Sequence, residues 1–277
     1  MILVFAVADW KSKLRADATD WLLEENNPSV RYFTLTDLLD YPQTDEQTLK
    51  AKATIMKVGL VPKILSKQNM DGSWETPTAF YTAKYKGTSW QLLILAELGA
   101  DTGDVRVKNA CEFILGSSQH KESHGFSIAR AEKTGGGRQS GVIPCLTGNM
   151  VYSLIRLGYL DDPRVQAGIG WINTYQRFDD GEGAPRGWPY DKYVMCFGKH
   201  SCFMGAAKAL KALAEIPANR RDSKTRSTIE VGAEYFLKHH IYKRSHDLSR
   251  VSKPGWLHFG FPLMYQTDAL EMLGILA

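Results

Sequence analysis

Lys63-Ile64-Leu65-Ser66-Lys67-Gln68-Asn69-Met70-Asp71-Gly72-Ser73-Trp74 is the stretch whose reading decides the fold. It begins as the end of an apolar helical face (Leu60, Ile64, Leu65) and changes within a few residues into a Gln, an Asp-Gly pair and a Trp. Asp-Gly ends helices, because Gly takes positive φ without penalty. Gln68 carries two donors and an acceptor, so it is expected to tie the free carbonyls of the helix end to the backbone of the turn. Trp74 then lies over the turn and buries its ring. The unit reads as a staple that closes one helix and sends the chain to the next.

Weaker copies follow. Gln119 precedes Gly125-Phe126, Gln176 precedes Asp180-Gly181 and Gly187-Trp188, and His240 precedes Gly255-Trp256. From aromatic to aromatic the steps are 52, 62 and 68 residues. Each step holds a small-residue-rich helix, a turn, a second helix and a Gly-aromatic pair, the mark of a repeat architecture.

The intervening helices alternate in character. Lys84 to Gly99 is apolar on nearly every side and reads as buried; the helix from Asp104-Val105-Arg106-Val107 interleaves charge and reads as half-exposed. The pair returns as Cys145 to Gly158 with Asp162-Pro163-Arg164-Val165 to Tyr175, and again as His200 to Ile216 with Arg226 to His239. A last buried helix spans Tyr265 to Leu276. Upstream, Trp21 to Leu39 is split by Asn26-Asn27-Pro28 into a hairpin of two short helices, and Thr44, with Gln47 at the capping-box position, opens a helix to Met56. These patterns predict an all-α chain, with a helical hairpin over 1–43 packed on a domain over 44–277. Inner and outer helices either close into concentric rings or stack as an open superhelix. The apolar final helix favours the closed ring.

Composition bounds the rest. With 277 residues and 44% hydrophobic content the chain can bury a sizeable core. No apolar run reaches 18 residues, so no transmembrane segment is expected. Met1 to Ala8 is apolar but has no basic flank and is followed by Asp9-Trp10-Lys11, unlike a signal peptide, which points to a cytoplasmic location. A net charge of +4 lacks the dense basic stripe of a nucleic-acid binder; Arg220, Arg221, Lys224 and Arg226 read as a solvated face. Four cysteines are too few for a disulfide framework. Gly135-Gly136-Gly137-Arg138 has no Lys-Ser/Thr sequel, so Ser117 to Ile143 reads as a mobile loop rather than a phosphate cradle.

The segment Gln68 to Trp74 resembles the Gln-Trp (QW) repeat of squalene and oxidosqualene cyclases, also present in protein prenyltransferase β-subunits. The chain is similar to the small stand-alone prokaryotic members of the prenyltransferase/squalene-oxidase repeat family. This resemblance covers roughly Thr44 to the end and implies an α/α-toroid. It also implies a terpenoid-related enzyme that takes an isoprenoid or other apolar substrate into a central cavity. The Asp-x-Asp-Asp acid of the cyclases is absent, the nearest pairs being Asp161-Asp162 and Asp179-Asp180, and so is Asp-Asp-x-x-Asp. A non-catalytic scaffold for a small molecule or a protein partner is the alternative.

In a toroid the starts of the inner helices converge on one mouth. Cys145, then Cys196 with His200-Ser201-Cys202, and Tyr265-Gln266-Thr267-Asp268 preceded by His258, all fall at such starts. Protein prenyltransferases hold zinc there with Asp-x-Cys and a His; Cys202 matches the Cys, His200 stands at the Asp and Gln266 at the His. Cys145, Cys196, His200 and Cys202 offer a different zinc tetrad, thiolate and imidazole being the ligands zinc prefers. The same thiols also read as small buried hydrophobes, or as a helix-terminal nucleophile at Cys202 or Cys145. Asp268, with His258 and Tyr265, is a candidate acid–base set if it faces the cavity; otherwise it pairs with Lys253 or Arg250. Trp90, Tyr152, Phe203 and Gln266 are expected to line the cavity, although aromatic side chains on buried helices also serve as plain core.

Overall fold

A computed structural model describes residues 14–181, 185–192, 194–198 and 200–277; the apolar start Met1 to Ala8 lies outside them. The chain divides into two compact units, one ending at Lys63 and the other Ile64–Ala277, where the sequence reading set the boundary at 43/44. In the first unit α1 (Thr19–Leu22) and α2 (Pro28–Phe33) flank the expected Asn-Pro break, and Thr34–Leu38 continues α2 with wider π turns. Next come α3 (Glu46–Ile55) and α4 (Leu60–Leu65). Because α3 packs on α2, it belongs with them. Its cap is Asp45 rather than Thr44: the carboxylate accepts the Gln47 and Thr48 N–H groups at 2.9 and 3.3 Å. A charged acceptor one residue on takes precedence over the hydroxyl.

The second unit carries the alternation. Helices α5 (Thr88–Glu97), α7 (Pro144–Arg156) and α10 (Phe203–Ala214) are buried on almost every side. Each is followed by a half-exposed partner: α6 (Val105–Ser117), α8 (Pro163–Tyr175) and α11 (Ser223–Lys238). A four-residue α9 (Val194–Phe197) precedes α10, and α12 (Ala269–Leu276) ends the chain. Helix α7 packs on α5 and on α10, so the three buried helices neighbour one another in chain order; α10 also packs on α12, which differs from the expected buried helix over Tyr265 to Leu276 in starting at Ala269 and burying only Met272. The all-α expectation holds with one addition, an antiparallel hairpin of β1 (Lys243–Arg244) and β2 (Asp247–Val251).

The staple forms, with a different division of labour from the one expected. The Trp74 indole N–H, not Gln68, closes α4, donating to the Ile64 carbonyl at 2.9 Å. The Gln68 amide donates to the Gly72 carbonyl at 3.1 Å and reaches across to the Arg106 carbonyl in the first turn of α6 at 2.8 Å. Gln119 repeats this, donating to His124 at 3.0 Å and to Arg164 in the first turn of α8 at 2.7 Å. Both receiving helices open alike, Asp104 and Asp162 each capping the N–H of Arg106 or Arg164 at 2.8 Å and pairing with its guanidinium. The aromatic residue is tied as well: the Trp74 N–H donates to Thr88 Oγ1 at 3.0 Å and the Phe126 N–H to Thr147 Oγ1 at 2.9 Å. Each Gln is thus a cross-link between consecutive half-exposed helices.

At Gln176 the pattern breaks. Its amide donates to its neighbour Arg177, and its Oε1 is buried with no partner among the described residues. Gln68→Ala is therefore expected to cost about 1–3 kcal/mol, the penalty for leaving partly buried carbonyls without a donor. Gln176→Ala should be near neutral. Urea unfolding of the two variants beside the wild type measures the difference.

The glycine run of 135–137 is a packing device. Gly137 donates to the Gln119 carbonyl at 2.8 Å, and a Cβ on it would stand 2.0 Å from the Ser118 carbonyl oxygen. Further backbone bonds, Arg138 to Ala129 and Ile128 to Gly141, tie the segment to itself, so the loop expected to be mobile is pinned along both sides.

Candidate functional site

The starts of the buried helices do gather residues singled out in the sequence. Trp90 is buried, donates its indole N–H to the Tyr81 carbonyl at 2.8 Å, and packs its ring 5.0, 5.5 and 6.2 Å from those of Tyr81, Tyr85 and Tyr265. Lys84 Nζ lies 4.6 Å over the Tyr265 ring. Hydrogen bonds from Gln266 and Tyr265 hold the Tyr85 phenol below its ordinary range. Cys145, Cys196 and Cys202 are close enough to act on one another: burial pushes the Cys145 thiol far up, with Cys196 and Cys202 adding to it, and burial pushes Cys196 up to about 11. A thiol held protonated is a weaker nucleophile than its thiolate.

Among the described residues no three His, Cys, Asp or Glu side chains converge in the manner of metal ligands. His200 is exposed and stands against His246, ring centroids 5.3 Å apart. Helix α10 starts at Phe203 with Cys202 as its cap, so His200 precedes the helix rather than opening it.

Three other residues take different places. Asp268 is the cap of α12 and not a residue one turn into it: Oδ1 accepts the Glu271 N–H at 2.8 Å and Oδ2 the Gly260 N–H at 3.3 Å. Backbone N–H groups, rather than Lys253 or Arg250, are its partners. His258 is exposed beyond the short turn at Pro254–Leu257. Tyr152 lies towards the other end of α7, its ring 4.2 Å beneath Lys211 Nζ.

That other end holds what sequence reasoning missed. Lys208 is wholly buried and places Nζ 2.8 and 2.7 Å from the two Glu271 oxygens. Lys211 meets the same carboxylate at 2.9 Å and also Glu97 of α5. Arg156 of α7 pairs with Glu215 at 3.2 Å. An ionic network thus runs through α5, α10 and α12. Its signal in the sequence is two lysines three apart in Ala206-Ala207-Lys208-Ala209-Leu210-Lys211-Ala212-Leu213, a helix with no polar face to hold them.

Beside the start of α10 lies a cavity of about 520 Å³ between His200–Met204 and the β hairpin. Phe203, Met204 and the buried Trp256 supply apolar walls; His200, His246, Arg244 and Lys253 stand around it against, among the described residues, one acid, Asp247. Asp247 is engaged by Ser249, whose N–H and hydroxyl donate to it at 3.1 and 2.5 Å and hold its carboxyl below the usual range. Phe203 belongs to this cavity, and its ring packs on Tyr235, Phe236, His239 and Trp256. The volume suits a small organic ligand, and the arrangement suits one with an apolar body and an anionic head. In comparisons with known proteins, no family model, no curated protein and no solved structure matches this chain.

Proposed function

We propose that the Ile64–Ala277 unit is an α/α-toroid of the squalene cyclase/prenyltransferase repeat type, and that it binds an isoprenoid-like ligand carrying an anionic head. The repeated Gln cross-links and the succession of buried helices α5, α7 and α10 support the toroid. One observation carries the ligand: Arg244, Lys253, His200 and His246 surround a cavity floored by Trp256 and Phe203. A diphosphate or carboxylate head meets Arg244 and Lys253, and a prenyl chain covers the rings. On this reading the ligand lies beside the start of α10.

Titration calorimetry with farnesyl diphosphate, farnesol and inorganic pyrophosphate tests the reading. Farnesyl diphosphate should bind best, and the double variant Arg244→Ala/Lys253→Ala should weaken it by about tenfold or more while leaving farnesol unchanged. Equal binding of all three, or none, overturns it. Incubation of bound farnesyl diphosphate followed by mass spectrometry then reads whether the ligand is turned over.

A scaffold role is the second reading, favoured by the exposure of Phe259, Phe261, Leu270 and Leu273, each more than half open to solvent. Large exposed apolar side chains close together in sequence mark protein-binding surfaces. Co-purification of a stoichiometric protein partner, lost in Phe259→Ser/Phe261→Ser, is the result that this reading requires.

A further inference from the structure

A second cavity, of about 610 Å³, opens between residues 178–180 and α11. Phe178 and Tyr235 form aromatic walls, their ring centroids 6.3 Å apart, and Glu230 and Glu234 line it one turn apart on α11. The charge here is opposite to that of the hairpin cavity: Asp179, Asp180, Glu230 and Glu234 stand against Lys238. Arg177 engages Asp179 at 2.7 and 2.5 Å, whereas Glu230 and Glu234 are exposed.

The decisive feature is deeper. His239 is buried; its Nδ1 faces the Tyr235 carbonyl at 2.6 Å and its Nε2 meets Asp180 Oδ2 at 3.0 Å, which fixes the carboxylate in place. Asp180 Oδ1 is buried with no hydrogen-bond partner among the described residues. Tyr235 is 5% exposed, its ring lines the cavity, and its hydroxyl is also buried without a partner among them. Asp180 and Tyr235 line the same cavity and both touch His239, whose ring lies 4.5 Å from that of Tyr235; burial first, then the charges of Asp180 and Asp179, push the Tyr235 phenol up. Two unmet polar atoms together are uncommon in a folded protein, because each forfeits the hydrogen bond that water once gave it.

We propose that this cavity is a binding site for a small primary amine, whose ammonium group donates to Asp180 Oδ1 and to the Tyr235 hydroxyl oxygen while its alkyl part lies on Phe178. An ammonium has three donors and no acceptor, which matches an unmet carboxylate oxygen beside an unmet hydroxyl. The acidic rim attracts it and the aromatic faces favour a cation. An anion meets four carboxylates. A metal ion finds no set of three converging ligands among the described residues.

Titration with n-butylammonium, and with butan-1-ol as the neutral molecule of equal length, tests the proposal on the full chain. n-Butylammonium should bind at millimolar concentration and butan-1-ol should not. Tyr235→Phe removes only the unpartnered hydroxyl, so its unfolding midpoint should stay level or rise while the affinity for n-butylammonium falls by about tenfold. The exposed Glu234→Gln should weaken binding less, by about two- to threefold, and only at low salt. Lack of binding to the wild type, equal binding of the alcohol, or unchanged affinity in a folded Tyr235→Phe overturns the proposal. So does a Tyr235→Phe protein of lowered midpoint that binds no amine, since the hydroxyl would then be satisfied by a resident water.

Discussion

Glu271→Ala is expected to destabilise the chain by about 3–5 kcal/mol, the cost of removing one partner from a buried ion pair. Lys208 then loses both carboxylate contacts and keeps only the Leu263 carbonyl at 3.5 Å, on a side chain with no exposed surface. Lys211 is less affected because Glu97 still faces it. The penalty comes from the stranded charge and not from a lost contact, so the double variant Glu271→Ala/Lys208→Met should recover a large part of the loss. Apolar replacement of a whole buried pair is often neutral or better. Guanidinium unfolding of the single and double variants reads this directly. A double variant as weak as Glu271→Ala would mean that Lys208 is not the group left stranded.

The same network gives stability a pH dependence of known sign. Burial acts to raise the Glu271 carboxyl, but Lys208 and Lys211 outweigh it and hold it below its ordinary value. A depressed carboxyl favours the folded state above its unfolded value of about 4.3, and that contribution is lost as the pH falls through the folded one. Lys208 shifts stability in the same direction with pH, over a more alkaline range. Burial lowers its ammonium below the ordinary value, so the charged form is a cost to the fold that alkali relieves. Stability should therefore fall on the acid side more steeply in the wild type than in Glu271→Gln.

What the sequence showed of this fold was whatever is encoded locally. Asp71-Gly72 turns where expected, Gly72 sitting at φ +86°, and the buried and half-exposed helices alternate as their side chains dictate. Helix starts were less legible. Backbone propensity alone does not separate Phe203 from His200, and Asp268 reads as helix interior until its two accepted N–H groups are seen. Long-range partnerships were hidden altogether. The amide of Gln119 meets a carbonyl 45 residues on, and Lys208 meets Glu271 63 residues on. Nothing in the local pattern of either residue names its partner. The site residues divide on the same line: Trp90 near the start of α5 meets Tyr85 and Tyr265, the latter in the approach to α12, whereas the places of His200 and Tyr152 depend on packing that only the fold supplies.

Gly148→Ala should cost about 3 kcal/mol or more, although alanine is intrinsically the better helix former by about 1 kcal/mol. Gly148 lies in the middle of α7, where a Cβ would stand 2.4, 2.5 and 2.6 Å from Lys208 C, Lys208 O and Ala209 N of α10. All three are backbone atoms, so no rotamer change relieves the overlap. The two helices must part by roughly 1 Å along their most extensive contact, which opens voids on both sides and draws Lys208 away from Glu271. Gly170→Ala is the matched control. Gly170 is mid-helix in α8 and exposed, and no heavy atom among the described residues lies within 4 Å of an added Cβ. That variant should gain about 0.5–1 kcal/mol from the reduced entropy of its unfolded chain. Thermal unfolding of the pair is thus expected to move in opposite directions. A Gly148→Ala protein as stable as Gly170→Ala would show that α7 and α10 do not touch backbone to backbone, and would remove the framework that holds Lys208, Lys211 and Glu271 together.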